Sequence, residues 1–404
     1  MCSDPSIGLR GVSVPDCNTN AGVGTQYSKV WNIQADTDVT EIFGETLVPL
    51  IDSDGISANF NGAVRWADYS NSGQIWAYKG GLDIAFGDGI RLRGTYSRDV
   101  RAPNLNERYD KTGGSATLVD PRYPDDGTIS VTSFAGGNKN AKPEKADTFT
   151  AGVVLQPSFA PNLSLSVDWY RVDIKGALSR IGVQEVANRC ESGGAAEYCD
   201  LITRDPATDR ISLIGDVVVN VAQSVASGVD AELDYAARPK IFGGDESLNA
   251  RVFASWLTER SETDSNGNKI DYAGQTGASP LSNVYYSYPN FRLTGNVTYR
   301  NGPFSVFLQG RYIGPGIQDV TLTQGVNIEN NSVSSVFYAD ARIAYDFDLN
   351  GSTVELWGSV TNMFDQDPPI TPTYSAFLGY AIQTNPGVYD VLGRRYTVGL
   401  KFKM

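Results

Sequence analysis

Two acidic segments and four cysteines are the parts of this chain whose residue types and spacing suggest chemistry. The carboxylates of residues 124–126 and 365–367 are the kind of oxygen ligand that Ca²⁺ prefers, although acidic pairs of this kind are more often solvated turns. None of the 404 residues is His, so a His-based triad or proton relay is excluded. CxxC, HExxH and P-loop patterns are also absent. We therefore expect no enzymatic activity, no cofactor and no bound metal.

The cysteines offer a second kind of chemistry. They are Cys2, Cys17, Cys190 and Cys199. In an exported protein they would pair as disulfides, and three connectivities are open. Local pairing, Cys2 with Cys17 and Cys190 with Cys199, closes the shortest loops and is the pairing that we predict. Metal binding by these thiols is the alternative, which the lack of His and of a tight CxxC disfavours.

The composition excludes several classes of protein. A formal net charge of −13 argues against binding to nucleic acid, because phosphates require a basic surface. No run of eighteen apolar residues suggests a membrane-spanning helix. The residues from Met1 to Asp4 lack the basic and apolar regions of a signal peptide, so we expect the natural beginning of an exported protein to lie upstream.

Alternation of apolar and polar residues is the main structural signal. The terminal segment Tyr396 to Met404 reads YTVGLKFKM, with an apolar residue at every second position, which is typical of a strand with one apolar face. The same period recurs upstream, most clearly at 56–66, 76–86 and 90–97. We predict an all-β protein with about thirteen strands, including one long strand from Val219 to Tyr235. A short helical segment is predicted at 178–190.

The predicted connections alternate in length along the chain. Short turns lie near 51–55, 87–89, 157–161, 237–245, 300–303 and 348–352, whereas the inserts near 100–143, 176–216, 259–289, 314–333 and 365–388 are long. The connection near 70–73 is the single short member of the second set. Short turns at one end and long loops at the other are typical of an outer-membrane β-barrel. A soluble β-sandwich has no reason to sort its loops in this way.

Aromatic residues give an independent test of the membrane hypothesis. With the long loops outside, one set falls at the outer strand ends and a second at the inner ends: Trp66, Trp76, Tyr96, Trp169, Trp256 and Tyr312, and then Phe86, Tyr235, Tyr299, Phe304, Phe347 and Phe402. Two such girdles, roughly 25 Å apart on the apolar face, are what membrane interfaces select. The opposite face carries charges of both signs, which suits a hydrated lumen. The sequence thus predicts an antiparallel transmembrane β-barrel.

Several motifs resemble one known family. They are RGTYSRDVRAPNLNERY (93–109), GNKNAKPEKADTFTAGV (137–153), SGVDAELDY (227–235), VTNMFD (360–365) and GRRYTVGLKFKM (393–404). This series is similar to the barrel of the TonB-dependent outer-membrane receptors, in the order of that family and from about residue 36 to the end. The chain departs from the family pattern in lacking the plug and TonB box, and in ending with Met404 where an aromatic residue is usual.

The resemblance implies a function and a set of partners. It implies a receptor in the bacterial outer membrane for TonB-energised uptake of a scarce ligand, with an iron–siderophore favoured and cobalamin or carbohydrate possible. The implied partners are the TonB complex through the plug and TonB box, outer-membrane lipid, the barrel-assembly machinery through Tyr396 to Met404, and a small-molecule ligand. A passive porin or channel is the alternative function, and an adhesin barrel is a third. Because His is absent, we expect no axial-imidazole haem binding by this portion.

Ligand contacts are expected in the long loops and the outer part of the lumen. The candidates are loop aromatic and charged residues: Arg101, Asn104, Glu107, Arg108, Tyr109, Tyr272, Tyr285, Tyr286, Tyr288, Tyr374 and Tyr380. Packing of the loops on each other is the competing interpretation for each of these residues.

The strand count leads to an expectation about the extent of the chain. An antiparallel barrel closes only with an even number of strands, whereas thirteen are predicted here. We therefore expect residues 1–35 to be an extracellular loop and residues 36–404 to be the C-terminal portion of a 22-stranded barrel, without its plug and N-terminal strands. Open sheet edges are predicted near 36–50 and 389–404, or else a strained closure between them.

Overall fold

The computed structural model describes residues 29–30, 34–180, 182–192, 196–220, 223–263, 267–277, 287–349, 351–371, 373–375 and 380–403. Most of these residues are in β-strands. In chain order the strands are β1 (Lys29–Val30), β2 (Val39–Ser53), β3 (Ile56–Tyr69), β4 (Gly73–Phe86), β5 (Ile90–Arg101), β6 (Lys111–Val119), β7 (Thr128–Gly136), β8 (Glu144–Leu155), β9 (Leu163–Lys175), β10 (Leu178–Arg180), β11 (Ile202–Arg204), β12 (Ile211–Asn220), β13 (Gln223–Ala237), β14 (Glu246–Thr263), β15 (Lys269–Asp271), β16 (Phe291–Asn301), β17 (Phe304–Ile313), β18 (Gly316–Ile317), β19 (Ser332–Val333), β20 (Val336–Leu349), β21 (Ser352–Thr361), β22 (Thr373–Ser375), β23 (Tyr380–Ile382) and β24 (Arg395–Lys403).

Helices are few and short. They are α1 (Leu105–Tyr109), α2 (Val183–Glu191), α3 (Ala196–Cys199) and one 3₁₀ turn (Pro124–Asp126), and all of them lie in the long inserts. Within the described part of the chain, no helix is both long and apolar enough to cross a membrane.

One large sheet, which we call the wall, organises the molecule. Its strands follow one path of antiparallel neighbours, in the order β2-β3-β4-β5-β8-β9-β13-β14-β16-β17-β20-β21-β24, and β15 pairs with the side of β14. Thirteen strands therefore form the path, as the sequence predicts. Twelve successive antiparallel steps make the first strand and the last run in the same direction. Across the described residues no ladder joins β2 to β24, which is the open-edge alternative of the prediction.

The two faces of the wall differ as the alternation predicts. The apolar face carries exposed aromatic side chains, including Trp76 at 58% exposure. The register groups them in rows across the strands. Trp66 lies opposite Trp76, and Val229 lies between Trp169 on one neighbouring strand and Trp256 on the other. The tryptophan Trp357 is different, because it lies on the polar face with the Arg342 guanidinium 5.1 Å from its ring centroid. The distance between the two girdles stays a prediction.

The polar face is crossed by ion pairs between strands, either adjacent or, for Arg93 and Asp168, on the two sides of β8. Arg93 pairs with Asp168 at 2.6 Å, and Arg251 pairs with Asp234 at the same distance. Arg342 pairs with Glu355, also at 2.6 Å. Charges of opposite sign thus neutralise each other along this face, which is compatible with a hydrated interior.

A second sheet covers the long-loop end of the wall, and we call it the cap. It comprises β1, β6, β7, β12 and β10 in that order, with β11 paired to β12. All of these strands except β1, which precedes the wall, come from the first two long inserts. This sheet corrects the predicted strand from Val219 to Tyr235, because Val219 and Asn220 belong to β12 of the cap and the wall strand begins at Gln223. Alternation continues across both elements, so the periodicity alone could not separate them.

The remaining inserts are also structured. The predicted helical segment at 178–190 is helical from Val183 onward as α2, whereas residues 178–180 form β10. The fourth insert contains the pair β18–β19, and the fifth contains the pair β22–β23. A small apolar cluster holds these inserts over the wall, and its buried members are Ile313, Val333, Val336, Tyr338 and Tyr389.

Candidate functional site at the long-loop end

The cap has a hydrophobic core of its own. Two inserts meet in it, because β7 pairs with β12 in parallel, with Leu213 opposite Thr132. The buried members of the core are Leu118, Val131, Val186, Ala187, Tyr198, Ile211, Ile214, Val217 and Val219. These residues come from both inserts and from two helices, so the cap is a packed unit and not a set of separate loops.

A disulfide joins the two helices of the cap. Cys190 in α2 is bonded to Cys199 in α3, with their Cα atoms 4.9 Å apart. This is one of the two pairs that the sequence predicts. The other pair, Cys2 with Cys17, lies outside the described residues.

A buried ion pair ties the two inserts of the cap together. Both carboxylate oxygens of Asp120 accept hydrogen bonds from the Arg204 guanidinium, at 2.8 and 3.1 Å. The backbone N–H groups of Arg122 and Ile211 also donate to this carboxylate. Burial by itself would raise the pKa of Asp120, but these hydrogen bonds outweigh burial and hold the pKa below its usual value. The carboxylate is therefore charged at neutral pH although only 1% of the side chain is exposed.

The first prediction concerns this ion pair. Substitution Asp120→Asn should lower the unfolding free energy of the cap by about 3 kcal/mol, because it removes the buried carboxylate at 2.8 Å from Arg204 and leaves only Glu191, at 3.4 Å, to pair with this mostly buried charge. Hydrogen exchange of peptides from 111–136 and 196–220 measures the change. The matched control is Asp209→Asn, since that carboxylate also pairs with an arginine but is 54% exposed, and we expect a loss below about 1 kcal/mol. Equal effects of the two substitutions would contradict the prediction.

The same carboxylate sets a pH dependence. Its pKa is lowered in the folded cap, so it contributes stability above the unfolded-state pKa and loses that contribution as the pH falls through the folded-state value. We expect protection of the cap amides to be constant at neutral pH and to decline below about pH 4. In Asp120→Asn this decline should be smaller.

The arginine motif of the fourth wall connection, between β5 and β8, forms a latch, which we define as Arg101, Asn104, Glu107, Arg108 and Gly137. The Arg101 guanidinium pairs with Glu107 at 2.8 Å and with Glu144 at 2.6 Å. Asn104 and Glu107 form a reciprocal capping box at the start of α1. The buried Arg108 donates to the carbonyl oxygens of Lys139 and Ala141. Apart from the buried Arg108 Nε, which has no hydrogen-bond partner among the described residues, these polar groups are thus occupied by protein partners, and a ligand role for them stays a prediction.

Gly137 completes the latch by allowing close backbone approach. A Cβ atom at this position would lie 2.3 Å from the carbonyl carbon of Arg108 and 2.4 Å from the amide nitrogen of Tyr109. The glycine N–H also donates to the carbonyl of Asp110 at 2.7 Å. The two motifs at 93–109 and 137–153 are therefore two halves of one structural joint at the rim of the wall.

The remaining candidate residues are distributed over the loop layer. Tyr109 lies near Lys139, whose ammonium is 5.9 Å from the ring centroid. Tyr374 and Tyr380 belong to the hairpin of β22 and β23, of which only the backbone is described. Tyr285 and Tyr286 lie outside the described residues. Tyr272 and Tyr288 lie beside Arg260, which is part of the group described next.

Two arginines and two tyrosines form a group on the polar face near its long-loop end, which we call the lumen patch: Tyr170, Arg260, Tyr288 and Arg292. The Arg260 guanidinium lies 5.2 Å from the centroid of the Tyr288 ring, and the Tyr272 N–H donates to the Arg260 carbonyl. Arg292 is exposed on β16. Among the described residues, no carboxylate lies within 4.0 Å of its guanidinium.

Tyr170 lies in this patch because a glycine faces it. Gly228 on β13 is the register partner of Tyr170 on β9, and a Cβ atom at 228 would lie 2.8 Å from the tyrosine hydroxyl oxygen. The ring therefore extends across β13 toward β14. One row below, Asp230 lies opposite Ser255, which lies opposite Arg292.

Sequence reasoning selected Tyr288 but missed the other members of the lumen patch. The signal was present for Arg292, which alternation places on the polar face. For Tyr170 the only sequence signal was Gly228 in the SGVDAELDY motif. The sequence does not show that the strand containing Tyr170 pairs with the strand containing Gly228, because the fold sets that pairing. A cationic and aromatic patch of this kind can bind an anionic, ring-bearing ligand by ion pairing and by cation–π contact.

The main cavity and the two acidic segments lie elsewhere in the molecule. A cavity of about 560 Å³, lined by Gln156, Asp234 and Arg251 among others, lies at the short-turn end. The acidic segments are paired with arginines, since Asp126 contacts Arg210 and Asp365 lies 3.5 Å from Arg394. In the part of the chain that the structure describes, no group of three or more potential metal ligands is present.

The antiparallel wall, its apolar aromatic face and the structured cap over its long-loop end define a large β-barrel of the outer-membrane receptor class. The chain belongs to the TonB-dependent receptor-like β-barrel family, whose model matches residues 8–363. A search of curated protein sequences gives no match. That family consists of receptors and transporters and not of enzymes.

Solved structures show the same fold. The siderophore receptor PirA from Acinetobacter baumannii has a TM-score of 0.57 at 16% identity, with 91% of this chain and 46% of that chain covered. A mutant of the ferric enterobactin receptor PfeA from Pseudomonas aeruginosa, in complex with enterobactin, has a TM-score of 0.60 at 16% identity, with 91% and 45% covered. The FrpB iron transporter from Neisseria meningitidis has a TM-score of 0.53 at 13% identity, with 91% and 44% covered. This chain thus spans less than half the length of these structures.

Proposed function

We propose that this protein is a bacterial outer-membrane receptor that takes up an anionic iron–siderophore in a TonB-energised process. The observation that carries the proposal is the lumen patch. It offers the Arg292 guanidinium, which has no carboxylate within 4.0 Å among the described residues, and a cation–aromatic pair at Arg260 and Tyr288. Arg260 also lies 3.3 Å from Glu262. Siderophore receptors among the structural relatives support this choice of ligand over cobalamin or carbohydrate, neither of which carries the net negative charge that the arginines would bind. The cap and long loops face the cell exterior, and Lys29 and Val30 belong with them, as the pairing of β1 with β6 suggests.

The chemistry of a ferric siderophore matches this patch. Many such complexes carry net negative charge and flat chelating groups. A guanidinium binds oxygen anions in a forked geometry and also stacks on flat rings. The chain itself offers no imidazole to haem iron because it contains no His. The partners of the proposal are therefore the siderophore at the patch and the TonB complex, which supplies energy from the other side of the membrane.

The second prediction tests the lumen patch. In outer membranes that contain the protein, the double substitution R260Q/R292Q should weaken binding of a radiolabelled ferric catecholate about 100-fold. The reason is that each charge-assisted contact contributes about 1.5 kcal/mol or more, and each 1.4 kcal/mol is a factor of ten in affinity. The matched control is R251Q, which removes an arginine from the same strand, β14, at its short-turn end. We expect this control to change affinity less than threefold.

The ligand class and the energy source need separate measurements. Binding of a ferric hydroxamate, cobalamin and maltodextrin is compared with that of the catecholate, and the best binder identifies the ligand class. Uptake by living cells should stop when the proton-motive force is collapsed or when TonB is deleted. Uptake that continues under both conditions would favour the passive channel instead. Equal losses of binding in R260Q/R292Q and R251Q would show that the lumen patch is not the site.

A further inference from the structure

One short turn presents a basic and apolar surface that the proposed function does not use. It connects β13 to β14 at the end opposite the cap, and we call its residues Arg238, Lys240, Ile241 and Phe242 the rim anchor. Ile241 is 69% exposed and Phe242 is 78% exposed. Large apolar side chains at the tip of a turn are costly in water, so their exposure calls for a partner.

The shape of this turn is fixed by a buried carboxylate. Glu246, at the start of β14, accepts hydrogen bonds from the backbone N–H groups of Ile241 and Phe242, at 3.2 and 2.8 Å. The hydroxyl of Tyr299 donates to the same carboxylate at 2.9 Å. The side-chain amide of Asn301 donates to the carbonyl of Gly243. The turn is thus held against β16, and the exposure of its tip is a property of an ordered structure.

The position of Phe242 connects the turn to the apolar face of the wall. Its ring meets the ring of Tyr299 edge to face, with centroids 6.4 Å apart and planes at 74°. Tyr299 is the last aromatic residue of its strand on the apolar face, above Val297. Phe242 therefore extends the apolar face beyond the end of the strand. In the neighbouring turn, between β8 and β9, Phe159 adds a second apolar tip and is 89% exposed.

The charges of the turn identify the polar part of its partner. Arg238 and Lys240 are both exposed, and neither has a carboxylate within 4.0 Å among the described residues. The oxygens of Glu246 are occupied by the contacts given above. Asp245 is exposed beyond Gly244 and forms no ion pair with either cation. Arg238 and Lys240, beside the exposed side chains of Ile241 and Phe242, match a surface with anionic head groups above an apolar layer.

We propose that the rim anchor binds anionic phospholipid in the leaflet at the short-turn end of the protein. Ile241 and Phe242 enter the boundary of the acyl chains, and Arg238 and Lys240 contact lipid phosphates. The proposal rests on the membrane location that is part of the proposed function, but not on the identity of the siderophore. A phospholipid fits better than a protein partner because Phe242 is continuous with the aromatic row of the apolar face.

Native mass spectrometry of the protein purified from outer membranes in mild detergent tests this proposal. The probe is an equimolar mixture of phosphatidylglycerol and phosphatidylcholine. We expect the wild-type protein to retain phosphatidylglycerol in excess. The variant R238Q/K240Q should lose this excess, with a fall of roughly fivefold for each charge removed. The variant I241N/F242N should retain less of both lipids.

The matched control is R300Q/K401Q, which removes two cations from the same end of the wall on its polar face. We expect it to keep the wild-type lipid ratio. Equal retention of the two lipids by the wild type, or an equal loss in the control, would overturn the proposal. So would competition by lipid A at the same concentration, because it would assign the site to the other leaflet. A photocrosslinker at position 242 that captures protein and no lipid would also count against it.

Heat-modifiable migration in SDS gels shows whether each variant is folded, so that a loss of lipid can be separated from a loss of structure. Failure of siderophore binding with a preserved lipid preference would reject the proposed ligand and leave the rim anchor intact. A wild-type protein that is absent from outer membranes would reject the membrane location, and with it both proposals.

Discussion

The 404-residue chain, refolded by itself into detergent micelles, is expected to give aggregates and not a compact, SDS-resistant monomer. The reason lies in the two edges of the wall. Among the described residues, β2 and β24 each have a neighbour on one side only, and Phe43 on β2 is 69% exposed and Val398 on β24 is 76% exposed. In an apolar medium each unpaired backbone group costs several kcal/mol, so two long free edges are not tolerated.

The two edges cannot satisfy each other in the usual way. Because β2 and β24 run in the same direction, their direct contact would be parallel, and antiparallel closure requires an odd number of strands between them. A bacterial porin with an even strand number, refolded under the same conditions, is the positive control. The variant F43K/L47K, which places charges on one free edge, should reduce the size of the aggregates. Two lysines introduced on a central strand of the wall should leave the size of the aggregates unchanged. A monodisperse, heat-modifiable species from the unmodified chain would contradict this expectation.

The second large effect is expected at the latch. Substitution Gly137→Ala should release α1 from residues 137–141, because the new Cβ atom would lie 2.3 Å from a backbone carbon and 2.4 Å from a backbone nitrogen. Neither atom is the end of a flexible side chain, so the backbone must move. Overpacking of this kind costs about 1–3 kcal/mol, and here it also breaks the hydrogen bonds of Arg108 to two carbonyl groups, at about 1 kcal/mol each.

Limited proteolysis of whole cells measures the release of the latch. Trypsin should cleave after Arg101 or Arg108 in the Gly137→Ala variant, and not in the wild type. Gly114→Ala is the matched control in the same cap, since the nearest atom to its new Cβ is the Ser133 hydroxyl oxygen at 3.7 Å. We expect the control to resist trypsin as the wild type does. Resistance of both variants would mean that the two motifs are not joined through Gly137.

The sequence by itself determined the wall. The period of two is a local property, because successive side chains of a strand point to opposite faces whatever the partner strand is. It therefore gave thirteen wall strands, the apolar and polar faces, and the assignment of Trp76 and Arg292 to opposite sides. The sorting of connection lengths and the order of the motifs pointed to the receptor family, which the family model confirms.

Only the tertiary structure decided what the loops do. Asp120 and Arg204 are 84 residues apart, and their contact depends on the packing of two inserts that have no periodic signal in common. For the same reason the alternation of apolar and polar residues wrongly predicted that Val219 is part of a wall strand, although it lies in β12 of the cap. The motif residues Arg101 and Arg108 looked like ligand contacts because they are charged residues in a loop. Their partners, carboxylates and carbonyl groups from a distant segment, are set by the fold, and so is the placement of Tyr170 beside Gly228.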